Sequence, residues 1–223
     1  LEKQVIMILD VSNSNPHILE SLLRDMIYQI SRYLNILVTI GVSSIHNSIE
    51  DTPKAFKEAK SALRYKLLIG WEKVINYNDV ASDINKGIII PISVWKKLEN
   101  SIITGDSDSI PDVVAELFNE LRSLKGVDPT ELLDKCRNEL LVIRRNIEVI
   151  GLDDSLLKSF IDEFDQKMYI VTLEELEVRF IEVFQRLARE ICQTNNLGIK
   201  SVINHIKQYI DQNYTDNITL NTL

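Results

Sequence analysis

Val38-Thr39-Ile40-Gly41-Val42-Ser43-Ser44, then Ala55-Phe56-Lys57-Glu58-Ala59-Lys60-Ser61-Ala62-Leu63-Arg64-Tyr65-Lys66, then Gly70 and Val74-Ile75-Asn76-Tyr77, is the stretch whose reading decides the fold. Ile36 to Ser43 reads as a strand. Gly41 within it marks a close backbone approach or a bend. Phe56, Ala59, Ala62, Leu63 and Leu67 recur at helical spacing and predict a helix from about Ile49 to Ile69. Gly70 is placed to stop it. Val74 to Tyr77 is a further short strand. Upstream, Val5-Ile6-Met7-Ile8-Leu9 is a short apolar run that reads as another buried strand. Asn15 and Pro16 then offer an N-cap and a first-turn proline. The helix behind them carries Leu19, Leu22, Leu23, Met26, Ile27, Ile30 and Leu34. Residues 1–85 therefore read β-α-β-α-β.

After Pro91 the strand signals stop and helix starts recur. Ser109 is followed by Pro111 and Asp112, Asp128 by Pro129 and Glu131, and Thr172 by Glu175. Each is an N-cap residue with an acid three positions on. Amphipathic patterns follow: Val113, Leu117, Leu121; then Leu133, Cys136, Leu140, Ile143, Ile147; then Leu176, Phe180, Val183, Leu187, Ile191. Residues 86–197 are expected to form an all-helical bundle. A separate helix is expected over 199–212, through Val202, Ile203, Ile206 and Ile210. The fold class is α+β, mainly helical.

Bulk numbers exclude several functions. The chain has 223 residues with 45% apolar and 26% charged side chains, the balance of an ordinary globular protein. Net charge is −8, and residues 86–197 alone carry 14 basic against 21 acidic groups. Such a block is repelled by nucleic-acid phosphates. The two cysteines, Cys136 and Cys192, sit in apolar helical patterns and read as reduced thiols. There is no CxxC or Cys/His cluster to suggest zinc. No run of 18 apolar residues suggests a membrane span. The chain opens on Leu1 and ends at Leu223 inside an apolar pattern, so it is expected to be a piece of something longer.

Two stretches resemble known families. The T-I-G-V-S strand, the A-x-x-A-L-x-Y helix, the glycine and the last strand quoted above look like the tail of a GGDEF-type domain. At the other end, Ile203-Asn204-His205-Ile206-Lys207-Gln208-Tyr209-Ile210, Asn213-Tyr214 and Ile218-Thr219-Leu220 resemble the opening of an AraC/XylS-type DNA-binding domain. In that order, with a helical connector between them, they resemble the large AraC-family regulators of Gram-positive bacteria, including YesN-like response regulators and membrane-bound sensor regulators. The resemblance implies three parts: a degenerate GGDEF-like half-domain over 1–85, a helical connector over 86–197 and the start of an AraC-type domain over 198–223. The residues that bind phosphate and metal in true cyclases would lie upstream of Val5. The recognition helices would lie beyond Leu223. No catalytic residue, cofactor-binding residue or metal ligand is therefore assigned, and no cofactor is expected.

The remaining constellations read as structure. Asp106 with Asp108, and Asp153 with Asp154, stand at helix starts, where carboxylates complement the dipole. Asp162, Glu163 and Asp165 read as a solvated face. His17, His46 and His205 lie far apart, with no Ser or Cys at a motif spacing. Arg144 and Arg145 lie on the polar face of a long helix. Trp71 and Trp95 flank the junction of the two modules and are candidate interdomain contacts. Phe180, Phe184, Leu187 and Ile191 are candidate contacts in a dimer seam.

The expectation is a non-enzymatic, cytoplasmic, signal-transmitting module of a bacterial transcription regulator. It would act as a homodimer and receive its signal from an upstream receiver or sensor domain. DNA would be read by a C-terminal domain outside the chain. Two other readings stay open: a sensor that binds a small effector in the helical bundle, and a nucleotide-binding remnant of a cyclase.

Overall fold

The computed structural model describes residues 4–11, 16–81, 92–124, 126–149, 151–167 and 171–213. Helix α1 spans Pro16–Leu34, strand β1 Ile40–Val42, helix α2 Thr52–Arg64, helix α3 Lys66–Ile69, strand β2 Val74–Asn76 and helix α4 Tyr77–Ala81. The two strands pair in parallel, with Ile40 opposite Val74 and Val42 opposite Asn76. Helices α2 and α3 form the crossover between them. A parallel pair requires such a long connection, because a tight hairpin joins only antiparallel strands.

Gly41 is the pivot of this unit. A β-carbon there would stand 2.2 Å from the carbonyl oxygen of Ala59 and 3.0 Å from the amide nitrogen of Leu63. Helix α2 therefore lies directly on the strand, as the glycine in the sequence suggests. Ala62, Tyr65 and Ile75 form a small core beneath it. Gly70 ends α3 with φ +90°, a backbone conformation that side chains with a β-carbon resist.

One expected strand does not form. Residues 4–11 have no regular structure, and Val5 to Leu9 are 48–85% exposed. The described part of the sheet thus has two strands, not three. An apolar β-branched run becomes a strand only where an edge accepts it, and a sequence pattern does not specify that edge. Helix α1 buries Leu23 and Ile27 but leaves Ile18, Leu22, Tyr28, Tyr33 and Leu34 exposed.

Among the described residues five helices follow: α5 Ile92–Thr104, α6 Ile110–Ser123, α7 Pro129–Val149, α8 Ser155–Lys167 and α9 Leu173–Asn213. They share one large core that includes Leu98, Ile102, Leu117, Phe118, Leu140, Ile147, Leu157, Phe180 and Phe184. The expected boundary near residue 85 lies outside the described residues. Leu67 of α3 belongs to the bundle core, and Leu68 packs against both cores, so α3 joins the two units.

Two of the three expected N-caps form. Thr172 and Glu175 make a reciprocal capping box: the Glu175 amide donates to Thr172 Oγ1 at 3.3 Å, and the Thr172 amide donates to Glu175 Oε2 at 2.8 Å. Asp128 Oδ1 accepts from the amides of Thr130 and Glu131 at 2.6 and 3.3 Å. Ser109 departs from expectation. Its backbone is already helical and its hydroxyl donates to Ser101 Oγ at 2.8 Å instead of capping. Helix α9 also departs. The helix expected separately over 199–212 is the continuation of α9, which runs unbroken for 41 residues. The expected AraC-like residues from Tyr214 onward lie outside the described residues.

Candidate functional site at the module junction

Gly70 turns the chain out of α3 and sets Trp71 against the bundle. The Trp71 indole N–H donates to Glu175 Oε1 at 3.0 Å. The Lys66 ammonium stands 3.8 Å from the centre of the indole ring, a cation–π contact made by a lysine only 4% exposed. Beside it, Arg64 donates to Thr130 Oγ1 of α7 at 3.3 Å. Trp71 thus connects the N-terminal unit with the first turn of α9.

The other sequence-selected residues lie elsewhere. Trp95 is not at the junction surface. It is 2% exposed inside the bundle, its ring centre 6.3 Å from that of Phe180, and its indole N–H has no hydrogen-bond partner among the described residues. Phe180 and Phe184 meet edge to face at 5.3 Å, and Phe180 meets Phe118 and Phe160 in the same way at 5.3 and 5.5 Å. Phe180, Phe184, Leu187 and Ile191 are all buried within the chain's own core. Helices α5, α6 and α8 already cover that face of α9. A seam between two copies would have to use other residues.

Sequence reasoning missed a polar cluster behind β1. Glu58, on the buried side of α2, accepts from the Ser44 amide at 3.0 Å and lies 3.0 Å from His46 Nε2. Asp51 Oδ2 is 4.0 Å from His46 Nδ1, and Ser44 Oγ donates to Asn78 Oδ1 at 2.7 Å. Burial pushes the Glu58 carboxyl up, but His46 and the Ser44 amide and hydroxyl together hold it below its ordinary value. The cluster ties the loop after β1 to α2 and to α4. One signal could have found it: an acid among Ala55, Ala59 and Ala62 on the inward side of a helix.

The acids read as a solvated face are largely paired. Asp165 binds Arg137 at 2.5 Å, and Glu163 binds Arg179 at 2.7 Å. Asp154 binds Arg144 at 2.5 Å, while Asp153 caps α8 through the Ser155 amide at 2.9 Å. Neither Cys136 nor Cys192 forms a disulfide, and burial pushes the Cys136 thiol up to about 12. Among the described residues no group of three or more His, Cys, Asp or Glu side chains is arranged to hold a metal, and no helix is long and apolar enough to cross a membrane. Between α8 and the start of α9 runs an open apolar groove of about 420 Å³, lined by Phe160, Phe164, Val171, Leu176 and Val178 and rimmed by Glu163 and Arg179.

Residues 1–65 match a family model described as a GGDEF-like domain. No curated protein and no solved structure gives a significant match to the chain. The matched segment holds α1, β1 and α2, which are the elements around Gly41 and Glu58. Strand β2 lies beyond it but completes the same sheet. The match falls within the small α/β unit, which is GGDEF-like over residues 1–65, and Trp71 beyond it makes a contact with α9.

Proposed function

We propose that the chain is a non-catalytic transmission module of an AraC-type transcription regulator. A change arising in an upstream receiver or sensor domain passes through the GGDEF-like unit and α9 to a C-terminal DNA-binding head, in the setting of a homodimer. One observation carries this reading. Helix α9 starts at the Trp71 contact and continues without a break to Asn213, into the residues that resemble the opening of the AraC-type domain. A continuous helix keeps its two ends in fixed rotational phase, so what turns one end turns the other.

Phase provides the test. The chain, joined to an upstream receiver or sensor and continued beyond Leu223 by the remainder of an AraC-type head, drives a transcriptional reporter in cells. One alanine inserted between Asn195 and Asn196 turns everything downstream by about 100°, whereas seven residues restore phase to within about 20°. The first insertion should abolish regulation and the second should largely restore it. Equal output from both would sink the reading.

The groove between α8 and α9 supports a second reading, an effector sensor. Its size lies within the range of small-molecule sites. A thermal-shift screen of sugars and metabolites distinguishes the two, since a sensor's melting temperature rises with its effector.

A further inference from the structure

Glu175 serves two donors at once. Its Oε2 accepts the Thr172 amide at 2.8 Å and completes the cap of α9, while its Oε1 accepts the Trp71 indole N–H at 3.0 Å. The indole is held on both sides by opposite charge. The Lys66 ammonium meets the electron-rich ring face at 3.8 Å, and the Glu175 carboxylate meets the electropositive N–H edge. A line of contacts therefore runs Lys66–Trp71–Glu175–Thr172, from a buried lysine of the GGDEF-like unit to the first turn of the long helix. Arg64 makes a neighbouring contact, to Thr130 of α7.

The geometry points to Trp71 as a releasable latch. Seated, it makes the GGDEF-like unit and the first turn of α9 move together. Released, it leaves Glu175 still capping α9 through Thr172, so the helix persists while the coupling is lost. The parts suit release. Trp71 is half-buried and Glu175 exposed, so water competes for the indole N–H. The contact the latch breaks belongs to Glu175 Oε1, and the contact that preserves the helix belongs to Oε2. This inference rests on the transmission reading and names its coupling point.

The test is a double-mutant cycle read by hydrogen exchange at the amides of Thr172, Glu175 and Leu176. Trp71→Phe keeps an aromatic face for Lys66 and removes the N–H. Gly41→Ala disturbs the GGDEF-like unit at a distance, by forcing α2 off β1. Alone, Gly41→Ala should speed exchange at these amides roughly fivefold. In the Trp71→Phe background it should add nothing. If Gly41→Ala does not fold, Glu58→Gln, which keeps the side-chain size, replaces it in the cycle. Effects that simply multiply, or no response at α9 to either disturbance, overturn the latch. Neither result bears on the phase experiment, so the transmission reading stands or falls separately.

Discussion

Gly41 leaves no room for a side chain, because the carbonyl of Ala59 occupies the place of a β-carbon. The obstacle is backbone and cannot rotate away. Gly41→Ala should therefore destabilise the chain by about 1–3 kcal/mol, read as a lower urea midpoint. Glu58 makes a prediction of a different kind. Its carboxyl is held below the ordinary value of 4.5 in the folded chain, so the unfolded chain takes up the proton first as pH falls. The stability it contributes is complete at neutral pH and fades as pH drops from 4.5 through the lowered value. The difference in urea midpoint between wild type and Glu58→Gln should be widest at neutral pH and should narrow as pH falls below 4.5. An unchanged difference would remove His46 and Ser44 as the cause. Gly41 was legible in the sequence because a glycine in a β-branched strand already asks for a close neighbour. The Glu58–His46 pair was not, because a stretch of loop and helix separates partners that only the crossover brings together.

At the scale of elements, burial decides what matters. Phe180 meets the rings of Trp95, Phe118, Phe160 and Phe164 and is fully buried, so Phe180→Ala should cost about 3–5 kcal/mol. Arg137 makes a well-formed pair with Asp165, but both side chains are 39% exposed. Arg137→Ala should cost less than about 1 kcal/mol in the same denaturation experiment, despite the short hydrogen bonds. The bundle helices were legible because apolar spacing and N-caps agreed. The continuity of α9 was not. Gln193-Thr194-Asn195-Asn196 and Gly198 interrupt the apolar stripe, which looks like a boundary. Helical backbone bonds do not depend on that stripe, and one interior glycine costs only about 1 kcal/mol. Val5 to Leu9 failed in the opposite sense: the pattern was right for a strand, but pairing is a property of two segments.

For the whole molecule, the aromatic face of α9 is spent on the bundle's own core. The proposed homodimer must therefore form through other surfaces, and the exposed apolar residues of the GGDEF-like unit offer one. Light scattering across a concentration series should give a mass near twice 25.6 kDa. A strict monomer at every concentration would place dimerisation outside residues 1–223. Calorimetry with GTP and magnesium should give no binding heat, and micromolar affinity would revive the nucleotide-binding alternative.

Helix α9 also converts angle into distance. At about 1.5 Å per residue its 41 residues make a rod about 60 Å long. The bundle holds α9 as far as Ile191, so a tilt of about 5° where the helix leaves it would carry Asn213, about 33 Å further on, through about 3 Å. In the proposed regulator, small angular adjustments in the bundle would thus reach the DNA-binding head as displacements comparable with one base-pair step.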